Sequence, residues 1–191
     1  MHCLIRLRTF HLRCWSWVLL CALPLLLAAQ GTADTMRMGT FARDFLPVWD
    51  RATAYTLAVA EAMPADAYGY RPDSSVFTFG QHLLHLSASM YQLCARYVRV
   101  AEVPSLPPPA ASLSKDSTLR VLAAAQAYAR ETLLGLSDSA ARSVAAGFWS
   151  PDPTPRYVVF LLLRDHITHH RAQAVLYLRL QGIEPPRYTG W

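Results

Sequence analysis

Charge is scarce in this chain, and so is cysteine. Asp, Glu, Lys and Arg make up 16% of the 191 residues, against 53% apolar. That balance excludes disorder for the bulk of the chain and leaves ample material for one core. Of the four cysteines, Cys3, Cys14 and Cys21 stand close to the amino terminus, and only Cys94 lies beyond them. No internal disulfide can therefore staple the rest, which must be held by its core. Gln92-Leu93-Cys94-Ala95 reads as ordinary helix, so Cys94 is expected to be buried rather than a reactive thiol. Alternating runs of Val, Ile and Thr between turn signals are missing, so no strands are expected. There is no internal repeat.

The first 33 residues hold no acid but carry Arg6, Arg8 and Arg13; Trp15 to Ala29 is then nearly all apolar, and Gly31 and Ala33 follow. A basic stretch, a short apolar run and a small-x-small step make a secretory signal peptide over residues 1–33, with the domain at 34–191. The apolar run of roughly 15 residues falls short of the ~20 needed to span a bilayer. No stable membrane span is expected after cleavage, and the destination is the periplasm or the cell exterior. An uncleaved N-terminal anchor is the alternative. Leu20, just before Cys21, is bulkier than a lipoprotein site accepts. Without the leader the count is 15 basic to 13 acidic residues. That is no electrostatic footprint for nucleic acid.

Four helical stretches are expected. The first runs from about Phe41 to Met63, with Leu46, Trp49, Thr53, Leu57 and Ala60 on its apolar stripe, Pro47 near its start and Met63-Pro64 at its end. Tyr70-Arg71-Pro72-Asp73-Ser74-Ser75 has turn chemistry. The second stretch opens at Thr78, which stands at capping-box spacing from Gln81, and continues to about Val100. Its stripe is Phe79, Leu83, Leu86, Met90, Leu93 and Tyr97. Residues 101–113, with Pro104, Pro107, Pro108 and Pro109, suit an extended crossover. A third helix, rich in Ala and Leu, runs from Lys115 to Leu136 with Ser114 as cap; residues 137–153, with Trp149, Pro151 and Pro153, form a loop. The fourth has Thr154 as cap, Pro155 in the first helical position, and Gly182 past its end. The expected fold is an all-α four-helix bundle with one longer crossover connection.

The histidines are not scattered. His2 and His11 belong to the leader, and the other five are His82 and His85 in the second stretch and His166, His169 and His170 in the fourth. His166 and His170 are four apart, so their side chains share one helix face about 5–6 Å apart. Two imidazoles so placed can reach one ion, and either His82 or His85 can supply a third from a facing helix. Three neutral imidazoles leave one position of a tetrahedral zinc open, which distinguishes a catalytic from a closed structural site. Zinc, nickel and iron all suit this donor set. His169 is rotated about 100° from His170 and cannot easily join the pair. Gln173 lies on the same face, either behind a ligand or as polar lining. Asp165 is expected to face solvent or pair with Arg164 or Arg171. The motif is not that of a zincin, because Ile167 stands where a glutamate would be needed.

Two segments, Thr78-Phe79-Gly80-Gln81-His82-Leu83-Leu84-His85-Leu86 and Asp165-His166-Ile167-Thr168-His169-His170-Arg171-Ala172-Gln173, resemble the DinB/YfiT-like family of metal-dependent bundle proteins. That family is unrelated to the DNA polymerase sharing its name. Tyr70-Arg71-Pro72 and the ending from Tyr177-Leu178-Arg179 through Gly182 to Pro185-Pro186 fit as well, so the likeness spans about residues 40–190. It implies metal ligands at His85, His166 and His170, choosing His85 over His82. His82, His169, Arg171 and Gln173 become neighbours behind the ligands or in the pocket. Ala172 replaces the usual Gly. The resemblance implies a divalent-metal enzyme acting on a small molecule, with a hydrolase ahead of a thiol-dependent S-transferase, since export removes the chain from cytosolic thiols. A non-catalytic metal-binding bundle is the other class; a haem bundle with two axial histidines fits the five-histidine cluster poorly. A homodimer is left open.

Export should remove the leader near residue 31 or 33. Intact mass of the exported protein checks this, and a mature chain that keeps Met1 or Arg6 would contradict it.

Overall fold

A computed structural model describes residues 38–105, 113–147 and 152–189 of the chain. The expected leader and its cleavage site lie outside these residues, as do Pro107, Pro108 and Pro109 of the proposed crossover and Trp149 and Pro151 of the later loop.

Helix α1 spans Thr40–Ala62. Its first residue is capped from far along the chain: the Thr40 amide donates to Asp138 Oδ1 at 2.6 Å and its hydroxyl to Oδ2 at 3.2 Å. A carboxylate there satisfies an orphan N–H and complements the helix dipole. The approach needs a glycine at position 39, because a Cβ there would meet the Asp138 backbone nitrogen at 2.6 Å. At the other end Lys115 Nζ donates to the carbonyls of Glu61 and Met63, at 2.7 and 2.9 Å. Both ends of α1 are thus closed by side chains from the second half of the chain. The buried face of α1 is Ala42, Phe45, Trp49, Ala52, Thr56 and Val59 with Thr53 and Ala60. Leu46 and Leu57, expected on the stripe, sit half-buried at its border.

Helix α2, Phe79–Leu93, opens with the expected capping box: the Gln81 amide donates to Thr78 Oγ1 at 3.2 Å and the Thr78 amide to Gln81 Oε1 at 2.9 Å. Phe79, Leu83, Leu86, Met90 and Leu93 are all buried, while Tyr97 is half-buried. The expected helix to Val100 does not run in one register. It widens into a π turn over Cys94–Arg99 and stops at Val100, whose φ of 53° is left-handed. Cys94 is fully buried, and burial pushes its thiol up to about 12, which makes it a packing residue.

Helix α3, Lys115–Leu134, is capped by Ser114, which accepts from the Ser117 amide at 3.3 Å. The loop after it holds two elements absent from the expectation: a short helix α4, Asp138–Arg142, and an antiparallel strand pair, β1 Val144–Ala145 with β2 Thr154–Pro155. Thr154 and Pro155 therefore belong to β2 rather than to the cap and first turn of the last helix. Helix α5, Tyr157–Leu180, starts later, after Arg156 and with no side-chain cap. Gly182 ends it at a φ of 73°, its amide donating to the Arg179 carbonyl at 3.0 Å.

The helices pack in a ring in which α1 touches α3 and α5, and α2 touches the same two. Cross-contacts give the directions. Asp50 meets Arg130 while Lys115 meets Glu61, so α1 and α3 are antiparallel. Trp49 meets Phe160 edge-on at 6.0 Å while Ala52 meets Arg171, so α1 and α5 run parallel. The Tyr91 ring lies tilted against Tyr128 at 4.9 Å and the Cys94 thiol lies beside the Thr132 side chain, so α2 and α3 also run parallel. Parallel neighbours need a link that returns the length of the helix. Residues 100–114 can reach it, since an extended residue covers about 3.3 Å and a 20-residue helix about 30 Å. The expected crossover therefore falls at the connection that the helix directions require.

The capping box fixes the start of the helix that carries His82 and His85. Thr78→Ala should cost about 1 kcal/mol of stability, read as a shifted urea midpoint. An unchanged midpoint would show that the box contributes nothing.

Candidate metal centre

Helices α2 and α5 run antiparallel, which sets His82 and His85 against the third and fourth turns of α5. The three Nε2 atoms of His85, His166 and His170 converge: His166 Nε2 lies 3.1 Å from His85 Nε2 and 2.9 Å from His170 Nε2. His85 and His166 are half-buried and His170 is buried, and together the three form a group that could hold a metal ion. One imidazole nitrogen carries either a single proton or a single lone pair. His166 Nε2 can thus make a proper hydrogen bond to only one of its two close neighbours. A cation would satisfy both contacts. Nitrogens bound to one ion at 2.0–2.1 Å stand roughly 2.9–3.4 Å apart for right-angled to tetrahedral arrangements; both contacts of His166 fall in that range, and all three donors lie within 4.8 Å of one another.

Burial keeps these rings neutral. His170 falls from the usual histidine value to about 3, through burial first and then the charges of His166, His85, His82 and His169. His166 falls to about 4, through burial and then His85 and His169. Burial lowers His85 as well. Neutral imidazole is the metal-binding form, so at neutral pH the donors need lose no proton. Beyond burial, the charges that lower His166 and His170 are those of neighbouring histidines.

His82 is buried beside the cluster but turned away from its centre. Its Nδ1 is 2.9 Å from His170 Nδ1, and its Nε2 is 3.3 Å from the Tyr177 hydroxyl. Burial, then His85 and His169, bring it down to about 4. His169 is exposed, and its ring nitrogen is 3.5 Å from Gln173 Nε2. Arg171 faces the other way. It is buried against α1, donating through Nη1 to the Ala52 carbonyl at 3.0 Å and to Thr56 Oγ1 at 3.3 Å, with its guanidinium over the Tyr55 ring. It ties α1 to α5 and is not part of the pocket. Asp165 is exposed and lies 3.8 Å from Arg164, as expected.

No acid of α1 joins the group. Asp50 is bonded to Arg130, and Tyr55 donates to the Pro186 carbonyl. Glu61 lies at the α1 end that Lys115 closes. The residues that reach the cluster unannounced are Phe77 and Tyr177. The half-exposed Phe77 ring lies 5.4 Å from His85, 5.5 Å from His82 and 6.5 Å from His170. Tyr177 was within reach of sequence reasoning: seven residues after His170, it lies two turns on along the same face.

A helical bundle with three histidine nitrogens gathered between two facing helices is the class this geometry defines. The chain belongs to the DinB superfamily, whose family model matches residues 49–174. Similar solved structures include a DinB-like protein from Bacillus cereus, with a TM-score of 0.65 and 16% identity over 75% of this chain and 95% of that one. A conserved protein from Enterococcus faecalis has a TM-score of 0.61 and 17% identity, over 75% and 97% of the two chains. A DinB-like protein from Bacillus subtilis has a TM-score of 0.62 and 16% identity, over 76% and 97%. At such identities the likeness establishes the fold. No curated protein matches the chain.

The lowered histidines carry a pH dependence whose sign follows from linkage. In the unfolded chain they bind protons below about 6.5, whereas in the fold His82, His166 and His170 wait until about 4 or lower. The unfolded state binds more protons in between, so the metal-free protein loses stability as pH falls through that window. Urea midpoints should drop between pH 7 and pH 5, above the carboxylate range, and drop less in His170→Gln. Equal drops in both proteins would refute the linkage.

Proposed function

We propose that the chain is a divalent-metal-dependent enzyme of hydrolase type, exported from the cytoplasm and acting on a small molecule. The observation that carries this reading is the convergence of three neutral Nε2 atoms on one point, with His85 and His166 still partly open to solvent. His85, His166 and His170 would hold the ion. Bound there, it would supply Lewis acidity that polarises an electrophile and makes a water or thiol more acidic. The residues around it do the rest. Phe77 walls one side of the cluster, and His82 braces His170. No helix among the described residues is long and apolar enough to cross a membrane.

A second reading, a non-catalytic metal-binding bundle, draws support from the acids. Among the described residues no carboxylate joins the three-histidine group, so none of them offers itself as general base. The two readings separate by the open coordination position.

Protein purified without an affinity tag should contain about one equivalent of zinc, nickel or iron by elemental analysis. His85→Ala, His166→Ala and His170→Ala should each abolish it, while His169→Ala keeps it. In the cobalt-substituted protein the visible spectrum should change on adding azide and should titrate around neutral pH. Response to a thiol but not to azide would move the reading to a thiol-dependent S-transferase. An inert spectrum would leave the binding bundle. A metal-free protein in which the alanine variants change nothing would defeat the metal reading altogether.

A further inference from the structure

The hydrogen bonds behind His170 form a directed chain. Tyr177 donates its single O–H to the Phe77 carbonyl at 3.1 Å. A carbonyl can only accept, so the direction of this first bond is fixed. The Tyr177 oxygen is then free only to accept, and its other close neighbour is His82 Nε2 at 3.3 Å. His82 must carry its proton on Nε2. A neutral imidazole has one N–H, so His82 Nδ1 presents a lone pair. That lone pair faces His170 Nδ1 at 2.9 Å. His170 must therefore carry its proton on Nδ1, which leaves its Nε2 as a bare lone pair 2.9 Å from His166 Nε2.

We infer that His82 and Tyr177 are positioning residues that lock His170 in the Nδ1–H tautomer and so aim its Nε2 lone pair into the three-histidine centre. The chain starts from the backbone of the segment leading into α2. It also holds that segment in place: the Phe77 ring, attached to the same residue as the terminal carbonyl, lies against His82, His85 and His170. Tyr177 in turn is pinned edge-on by Tyr70 at 5.8 Å, and the Tyr70 carbonyl accepts from the Phe79 amide at 2.9 Å. A metal-binding histidine whose second nitrogen is held in this way has its ring orientation and donor atom fixed before any ion arrives. His85 and His166 have no such brace at Nδ1 among the hydrogen bonds described, which makes His170 the anchored member of the group.

The inference rests on the proposed metal centre for its functional meaning, but the tautomer can be read without metal. In metal-free protein labelled with 15N at histidine, long-range proton–nitrogen correlation at neutral pH should show His170 protonated at Nδ1 and His82 at Nε2. Finding His170 protonated at Nε2 would overturn the inference, whatever the protein binds. Zinc titrations then test the consequence. Tyr177→Phe and His82→Leu should each weaken zinc binding about 10- to 100-fold. His82→Asn, whose side-chain oxygen can take the place of Nδ1 as acceptor, should recover most of the loss. Thermal melts confirm that each variant is folded; were one to fail, the wild-type tautomer spectrum still decides. Unchanged affinity in folded Tyr177→Phe and His82→Leu, or a His82→Asn no better than His82→Leu, would also overturn it. Wild-type protein that takes up no zinc, nickel or iron would defeat the metal reading while leaving the tautomer assignment to stand or fall on its own spectrum.

Discussion

His170 is held from both sides of its ring. One nitrogen is 2.9 Å from His82, and the other is 2.9 Å from His166. Both contacts exist only because α2 and α5 pack antiparallel with His82 one turn before His85 on the facing helix. A one-residue change in the register of either helix would turn these side chains by about 100° and scatter the cluster. The register is therefore the quantity that the rest of the structure must secure. The capping box at Thr78 fixes where α2 begins, and the apolar set Phe79, Leu83, Leu86 and Met90 fixes how it is rotated. On α5, Phe160, Leu163, Ile167 and Ala174 do the same, all at most 1% exposed. Histidines on one face and core residues on the adjoining face are set by a single helical rotation.

The remaining helices serve that pair from behind. Helix α1 packs on α5 and α3; none of its acids joins the three-histidine group, and it braces α5 instead. Arg171 does this by burying its guanidinium against two oxygen acceptors of α1 and the Tyr55 ring. A buried Arg without a carboxylate partner is costly unless its donors are satisfied. Here a backbone carbonyl, two threonine hydroxyls and an aromatic face meet it. Turning this cation toward α1 has a second effect. It follows His170 directly in sequence, yet it does not figure among the charges acting on the histidines.

Much of this was legible in the sequence, for reasons that can be named. The capping box, the α2 stripe, the Ser114 cap and the Gly182 ending are local patterns with local physics, and each holds. The clustering of five histidines on two helical stretches pointed to the site, since spacing of three and four residues maps directly onto a helix face. What failed was tertiary. The sequence signals Thr154 and Pro155 suit a helix start, but pairing with Val144 and Ala145 draws them into β2. Asp138 looked like one loop residue among many, yet it caps α1 ninety-eight residues away. Spacing left His82 and His85 equivalent. Only the packing angle separates them, sending His85 to the centre and His82 to the back of His170. Arg171 beside His170 read as a pocket residue because sequence adjacency hides a rotation of about 100°.

The donor set carries no charge of its own. Three neutral imidazoles would leave the full positive charge of a divalent ion uncompensated, since no carboxylate among the described residues joins the group. Thiolate or carboxylate ligands would have neutralised it and made the centre comfortable with four protein donors. Neutral donors do the opposite: they favour an anionic or polarisable group at whatever position the protein leaves free. The burial that keeps the rings unprotonated at neutral pH also lowers the local dielectric, which strengthens that attraction. The same two features, neutral donors and partial burial, therefore make the cluster ready to bind an ion and make that ion acidic once bound. A purely structural ion would gain nothing from the second property.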